Sequence, residues 1–254
     1  MRILLTNDDG VTAPGLRAMY DALADYAEVS VVAPQTVQSG GAHAITIRHP
    51  LVCQQISVND RLRAIGVEGT PADCVKLAVN ALLPERPDLV ISGINAGQNT
   101  GIHVLYSGTV AAAIEAAIMG LPAVAVSLQF SPDMDFDHAA RIAKRIIERV
   151  VADGLRPGRI CNLNIPELRP GVPRGIRVAP QSTRPMSEQL ERRTDPTGRE
   201  YYWLNGDFAS LEDDARTDRA ALREGYVCLT PLQFNLTDGA FLEELRTRSW
   251  PDLD

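Results

Sequence analysis

The sequence has few cysteines and none of the cysteine spacings that hold structural metal ions. Its 254 residues include four cysteines, no two of them close enough for a CxxC pair, and no histidine cluster accompanies them. We therefore expect reduced, mostly buried thiols rather than a zinc site. The apolar start of the chain is short and ends in two acids, so we do not expect a signal peptide. The cysteines are Cys53, Cys74, Cys161 and Cys228.

The chain also lacks a basic stretch and a long uninterrupted apolar stretch. It has 25 basic and 32 acidic residues, a net charge of −7, and no block of Lys and Arg. A nucleic-acid polymer is therefore not expected as a partner. The longest apolar region, residues 109–128, is interrupted by Glu115, Gly120 and Pro122, so no membrane-spanning helix is predicted. These absences predict a cytoplasmic protein.

Two common nucleotide-binding signatures are missing. GxGxxG does not occur, because "GINAGQNTG" has the wrong spacing, and GxxxxGK[ST] is absent. In "NDDGVT" the two acids are adjacent, whereas haloacid-dehalogenase-type phosphatases need a second acid two residues after the nucleophile. These patterns disfavour a Walker-type NTPase and a covalent aspartyl mechanism.

What the first half of the chain does have is a regular alternation of strand-like and helix-like segments. Continuous apolar strands such as "RILLT" and "AVAVSL" are typical of strands buried on both faces. Amphipathic or small-residue helices separate them, and Thr70, Pro71 and Asp73 form a good helix start. The pattern predicts an α/β fold: a Rossmann-like, doubly wound, mostly parallel sheet in three α/β/α layers.

The second half of the chain changes character. After "ICNLNIP" it is rich in Pro, Arg and Gly, "DPTG" at 195–198 predicts the turn of a hairpin, and a terminal helix follows. We predict one domain, 1–254, with a core at about 1–165. Residues from about 180 to 254 are predicted to form an oligomerisation extension, with a loop-rich subdomain packed on the same chain as the alternative.

Oxygen-bearing side chains follow three of the predicted strands. Asp8 and Asp9 follow the first strand, Ser39 lies a few residues past the second, and Asn95 follows "DLVIS". In a doubly wound sheet, ligands bind beyond the carboxyl ends of the strands. Two carboxylates, a hydroxyl and an amide oxygen suit Mg or Mn, which would make the adjacent negative charges tolerable. The alternative is that "NDDG" is only an acidic turn.

A candidate anion site lies at the start of the helix in "YSGTVAAAIEAA". Ser107, Gly108 and Thr109 open this helix, so free N–H groups and the helix dipole favour a phosphate there, and the Asn99 amide is a further donor. An ordinary N-cap is the alternative. His43, close after Ser39, is a candidate proton donor or phosphate contact, with a structural histidine as its alternative.

Eight segments in order resemble the SurE (survival protein E) nucleotidases along nearly the whole chain. They are "RILLTNDDG", "VVAP", "SGGAHAITI", "GTPADCVKLAVNAL", "PDLVISGINAG", "YSGTVAAAIEAA", "NLNIP" and "GYVCLTPL". The resemblance implies a metal-dependent phosphatase acting on nucleoside 5′- and 3′-monophosphates, with short polyphosphate as a further substrate of some members. Two positions depart from relatives: His103 stands where several have an acid, and Gln233 where some have His.

The resemblance also implies roles for individual residues and an assembly. It assigns the cation, one per subunit, to Asp8, Asp9, Ser39 and Asn95, and the phosphate to Asn99 and the turn at 107–109. It implies a homodimer or homotetramer formed through the C-terminal half. Two rivals remain open: a metal-dependent nucleotide-sugar transferase, and a non-catalytic nucleotide-binding sensor.

Overall fold

The computed structural model describes residues 1–185, 188–206, 214–251 and 253. Residues 207–213, which fall within the predicted oligomerisation extension, lie outside the described residues. The strands are β1 Arg2–Thr6, β2 Glu28–Pro34, β3 Cys53–Ser57, β4 Arg63–Val67, β5 Leu89–Ala96, β6 Ala123–Leu128, β7 Ile160–Ile165, β8 Ile176–Val178, β9 Glu188–Thr194, β10 Glu200–Gly206 and β11 Val227–Leu232. The α-helices are α1 Pro14–Leu23, α2 Pro71–Leu77, α3 Gly108–Ile118, α4 Phe136–Ala152, α5 Asp218–Arg223 and α6 Gly239–Arg246.

Nine strands form one twisted central sheet in the order β3-β4-β2-β1-β5-β6-β7-β11-β8. The run from β4 to β7 in this order is parallel, whereas β3 pairs antiparallel with β4, and β11 with β7. Helices α1 and α4 cover one face of the sheet, and α2 and α3 cover the other. The predicted doubly wound, mostly parallel, three-layer fold is confirmed.

The core explains why the central strands are apolar without alternation. In β1, Ile3 and Leu5 face the α1/α4 layer, and Leu4 faces the α2/α3 layer, all of them buried. A strand covered on both faces needs apolar residues at every position. On α1, Leu16, Met19 and Leu23 occupy the face toward the sheet, following the helical period.

The sheet also extends beyond the predicted core boundary at residue 165. Strands β8 and β11 join it after that point, and α5 packs beside β11. Strands β3 and β8 were not predicted: both are short edge strands with largely exposed side chains, so no apolar pattern marks them. The composition of the chain changes near residue 165, but the central sheet continues beyond it, so the sheet does not end where the predicted core ends.

The predicted hairpin and terminal helix are both present. Strands β9 and β10 form a separate two-stranded antiparallel sheet, and its turn is held by Asp195, whose side chain accepts hydrogen bonds from the N–H groups of Thr197 and Arg199. Helix α6 is capped by Asp238. None of the helices in the described ranges combines the length and apolarity needed to cross a membrane.

Candidate functional site

The candidate site lies where the strand order of the sheet reverses. Strand β1 pairs with β2 on one side and β5 on the other, and Thr6, the last residue of β1, lies beside Ser92 in the middle of β5. Asp8 and Asp9 follow β1 after one residue, Asn7, and Asn95 is the second-last residue of β5. Doubly wound sheets bind their ligands at this point.

Three hydrogen bonds bring the predicted segments together. The Gln38 N–H donates to the Asp8 carbonyl at 2.8 Å, which places the loop of the predicted ligand Ser39 beside Asp8. The Ala96 N–H donates to Asp9 Oδ2 at 2.9 Å, and the Thr109 hydroxyl donates to Asp8 Oδ1 at 2.5 Å. The ends of β1, β2 and β5 and the start of α3 therefore converge on the carboxylate pair.

The two carboxylates are strained electrostatically. Burial, with Asp8 only 4% exposed, raises the pKa of Asp8 to about 6; the Thr109 hydroxyl opposes this rise and the charge of Asp9 adds to it. Burial also raises the pKa of Asp9, against a lowering by the Ala96 N–H. In the part of the chain that the structure describes, the Asp8 carboxylate is bonded to the Thr109 hydroxyl and the Asp9 carboxylate to the Ala96 N–H, and neither partner is a basic side chain. No basic side chain among these described residues therefore neutralises the pair.

The donor atoms fit a hard divalent cation. The Asn95 amide nitrogen donates to the Gly97 carbonyl at 2.6 Å, which leaves the amide oxygen available, and Ser39 is exposed in its turn. Among the described residues, no three His, Cys, Asp or Glu side chains form a metal-binding group. A cation here would therefore need the hydroxyl and amide oxygens as well as the two carboxylates, and all four are oxygen donors of the kind that Mg and Mn prefer.

Helix α3 begins against the carboxylate pair. The Ser107 hydroxyl caps the helix by accepting from the Val110 N–H at 3.1 Å. A Cβ on Gly108 would lie 2.8 Å from the Asp8 Cβ, so only glycine allows this approach. The Thr109 hydroxyl is used by Asp8, a partner that the sequence did not predict. The Gly108 N–H is left at the open, electropositive end of the helix.

Asn99 is buried and held at three points. Its main-chain N–H donates to Asn164 Oδ1, its carbonyl accepts from the side chains of Asn162 and Asn164, and its side-chain amide donates to the Ser127 hydroxyl at 2.9 Å. One hydrogen of the Asn99 amide is thus committed to Ser127. The second hydrogen has no partner among the described residues, which the predicted phosphate contact requires.

His43 is turned toward helix α3. Its Nε2 lies 2.9 Å from Glu115 Oε2, and Lys76 Nζ donates to Glu115 Oε1 at 2.6 Å. Burial by itself would raise the pKa of Glu115. The hydrogen bonds with His43 and Lys76 outweigh burial, so the pKa of Glu115 is lower than its usual value. These contacts anchor the segment after Ser39 to α3. A proton-donor role for His43 stays a prediction.

Sequence reasoning missed the buried polar groups behind the site. Glu115 is the one acid in the small-residue helix α3, and Asn162 and Asn164 alternate in the apolar strand β7. A lone acid on an apolar helix and paired amides in a buried strand are unfavourable unless they have partners. Polar residues inside otherwise apolar segments are the sequence signal that could have identified Glu115, Asn162 and Asn164.

The fold and the site define an α/β protein with an oxygen-rich ligand site at the topological switch point, beside an open helix N-terminus. The family model "Survival protein SurE" matches residues 3–188. The chain belongs to the SurE family.

Three relatives illustrate the similarity. The chain is 49% identical over 247 residues to a protein named 5′-nucleotidase SurE from Rhodopirellula baltica, covering 97% of this chain and 98% of the relative. It is 44% identical over 253 residues to the protein of that name from Christiangramia forsetii, covering 98% and 97%. The crystal structure of the SurE protein from Aquifex aeolicus superposes with a TM-score of 0.85 at 36% identity, covering 97% and 98%.

Proposed function

We propose that this protein is a divalent-cation-dependent nucleotidase that hydrolyses nucleoside 5′- and 3′-monophosphates to nucleoside and phosphate, with short-chain polyphosphate as a further substrate. The observation that carries the proposal is the contact between the start of α3 and Asp8, made by the Thr109 hydroxyl and Gly108. It supports the proposal because a cation held by Asp8 would lie next to a phosphate bound at the start of α3. The name 5′-nucleotidase of the relatives supports the same activity.

Asp8, Asp9, Ser39 and Asn95 would hold one Mg or Mn ion per subunit. When bound, such an ion supplies Lewis-acid polarisation of a phosphoryl oxygen and activation of water. The protein's own contribution is to keep the donors in place before the substrate arrives. Thr109 fixes the orientation of the Asp8 carboxylate, and the Ala96 N–H fixes that of Asp9.

The phosphate of the substrate would bind at the start of α3 and at Asn99. The Gly108 N–H at the helix N-terminus and the free hydrogen of the Asn99 amide are donors suited to phosphoryl oxygens. Because both are fixed by the fold, they can stabilise the charge that redistributes in the transition state without first reorganising.

A cavity beside Ser107 supports a nucleoside as the rest of the substrate. Its volume is about 420 Å³, within the usual range for small-molecule sites, and it shares Ser107 with the start of α3. Its walls are largely apolar, with Leu105, Ile118 and Phe234, and Gln181 and Gln233 add amide groups. Apolar walls with a few amides match the flat faces and polar edge of a nucleobase.

A phosphate-release screen tests the proposal. We expect the protein to release phosphate from AMP and from 3′-AMP with Mg or Mn, and to lose this activity with a chelator. Because ribose 5-phosphate has no base to fill the cavity, we expect its KM to exceed that of AMP by about tenfold or more. Phosphate release from tripolyphosphate in the same assay tests short-chain polyphosphate as a further substrate.

Two other results would contradict the proposal. A nucleotide-sugar transferase would release no phosphate from AMP when no acceptor is present. A non-catalytic sensor would retain AMP stoichiometrically, with no turnover in Mg or Mn.

We also propose that the protein is a homodimer or a homotetramer. In the part of the chain described, large apolar side chains are exposed on the hairpin, on α6 and in the segment after α6: Leu190, Tyr202, Trp203, Leu204, Phe241 and Trp250. Exposed apolar surface of this kind marks interfaces. Light scattering at micromolar concentration should give at least twice the chain mass of 27.6 kDa; a monomer would contradict the proposal.

A further inference from the structure

Strand β7 places two asparagine side chains in the middle of the core. Asn162 and Asn164 are both fully buried, at 0% exposure, and lie two residues apart, so that they share the sheet face toward α2 and α3. A buried amide is unfavourable unless its hydrogen bonds are satisfied. The question is what these two amides do there.

Both amides are directed at a single residue, Asn99. Asn164 accepts from the Asn99 N–H at 2.8 Å and donates to the Asn99 carbonyl at 3.1 Å, so one side-chain amide pairs with both polar groups of that residue. Asn162 donates to the same carbonyl at 2.8 Å. On the neighbouring strand β6, Ser127 accepts from the Asn99 side chain.

Asn162, Asn164 and Ser127, which together hold Asn99 and are called the clamp, lie next to the candidate site. Asn99 lies three residues after β5. The last two residues of that strand are Asn95 and Ala96, and the Ala96 N–H donates to Asp9. Strands β5, β6 and β7 are neighbours in the parallel sheet, so the clamp is built on rigid elements. It therefore fixes the main chain and the side chain of Asn99 relative to the carboxylate pair.

Stability alone does not explain Asn162. The Oδ1 atom of Asn162 has no hydrogen-bond partner among the described residues, although it is buried. An unsatisfied buried oxygen is destabilising, and an apolar side chain of the same shape would avoid that cost. An asparagine at this position is better explained by the hydrogen bond that its nitrogen makes to Asn99.

We propose that Asn162 and Asn164 are positioning residues that act through Asn99: they orient its side-chain amide so that the hydrogen not used by Ser127 is presented to the substrate phosphate. This inference rests on the proposed nucleotidase activity. The Asn99 amide is an effective hydrogen-bond donor to the phosphate only if it is held in place before the substrate binds. A mobile amide would lose conformational entropy on binding.

The test compares the variants Asn164→Ala and Asn162→Leu with the wild type. Asn162→Leu keeps the shape of the side chain and removes the unpartnered oxygen, so it should fold even if Asn164→Ala does not. The matched control is Ser92→Ala, which removes another buried, unpartnered oxygen from the same sheet, level with Asn162 across β6 and without a bond to Asn99.

The measurements are the KM for AMP, the Kd of inorganic phosphate in the presence of Mn, and the Kd of Mn alone. We expect Asn164→Ala and Asn162→Leu each to raise the KM and the phosphate Kd by about tenfold, the lower end of the range for one hydrogen bond to a charged group, and to leave the Mn Kd within about twofold. In an Asn99→Ala background neither variant should raise the phosphate Kd further, because the two sites act as one unit.

Three results would overturn the inference. The first is a loss of melting temperature and of activity per milligram with an unchanged KM and phosphate Kd, which is what a purely structural role gives. The second is a rise in the Mn Kd as large as the rise in the phosphate Kd. The third is an undiminished effect in the Asn99→Ala background. If the wild type releases no phosphate from AMP, the proposed function itself fails, which is a distinguishable outcome.

Discussion

Replacing Asp8 by Asn should lower phosphate release by far more than ~100-fold while leaving the fold intact. Loss of a partner that only supports a metal ligand already costs about 10- to 100-fold, and Asp8 is proposed as a ligand itself. Asn keeps an oxygen that can accept from the Thr109 hydroxyl, so the local structure has no reason to collapse. Steady-state AMP hydrolysis in Mn measures the effect, with Asp21→Asn, an exposed acid on α1, as the control.

The same substitution should change stability in opposite directions without and with metal. Two carboxylates about 4 Å apart repel by on the order of 1 kcal/mol in water and about 4 kcal/mol near a protein surface. Without metal, Asp8→Asn removes that repulsion and the burial of a charge, so it should melt at the same temperature as the wild type or a few degrees higher. With Mn at about 100 times its Kd, the wild type should gain about 2.7 kcal/mol by binding.

Thermal melts of both proteins, each with chelator and with excess Mn, measure the two halves of this prediction. Two results would contradict the role of Asp8 as a cation ligand: a wild-type melting temperature that does not change when Mn is added, or an Asp8→Asn variant that keeps its activity.

Gly108→Ala should also abolish most activity. The new Cβ would lie 2.8 Å from the Asp8 Cβ and 3.0 Å from its Oδ2, so the start of α3 and the carboxylate must move apart. A misplacement of about 1 Å can cost on the order of 100-fold in rate, and the crowding should cost about 1–3 kcal/mol in stability. AMP hydrolysis and thermal melts measure both effects.

Gly239→Ala is the matched control for that variant. Gly239 is also the first residue of a helix, α6, but a Cβ there meets nothing within 4 Å. It should leave both activity and melting temperature close to those of the wild type. A Gly108→Ala variant that keeps a third or more of the wild-type activity would show that the close approach of α3 to Asp8 is not required.

The fold was predictable because its signals are local. The apolar strand β1 and the helix start at Thr70 follow from residues adjacent in sequence, and the structure shows Thr70 and Asp73 bonded to each other's N–H groups as a capping box. Strand β8 has three residues with exposed or half-buried side chains, so it carries no such signal. It exists because β11 offers it a partner, which no local pattern records.

The candidate site was predictable only as a set of segments. Strand ends and a helix start showed where Asp8, Asp9 and Thr109 would lie, because parallel strands share one carboxyl edge. The bond from Thr109 to Asp8 joins residues 101 positions apart, and the bond from Asn99 to Asn164 joins residues 65 apart. Such contacts depend on the packing of whole layers, and a single sequence does not contain them.

Calorimetric titration of the metal-free protein with Mn, without substrate, tests the central claim most directly. The claim is that the Asp8–Asp9 pair exists to hold a divalent cation. We expect one Mn ion to bind per chain in the wild type, and the binding to be lost or weakened by more than ~100-fold in Asp8→Asn and in Asp9→Asn. Binding of the same stoichiometry and affinity in the wild type and both variants, or no binding in the wild type, would contradict the account.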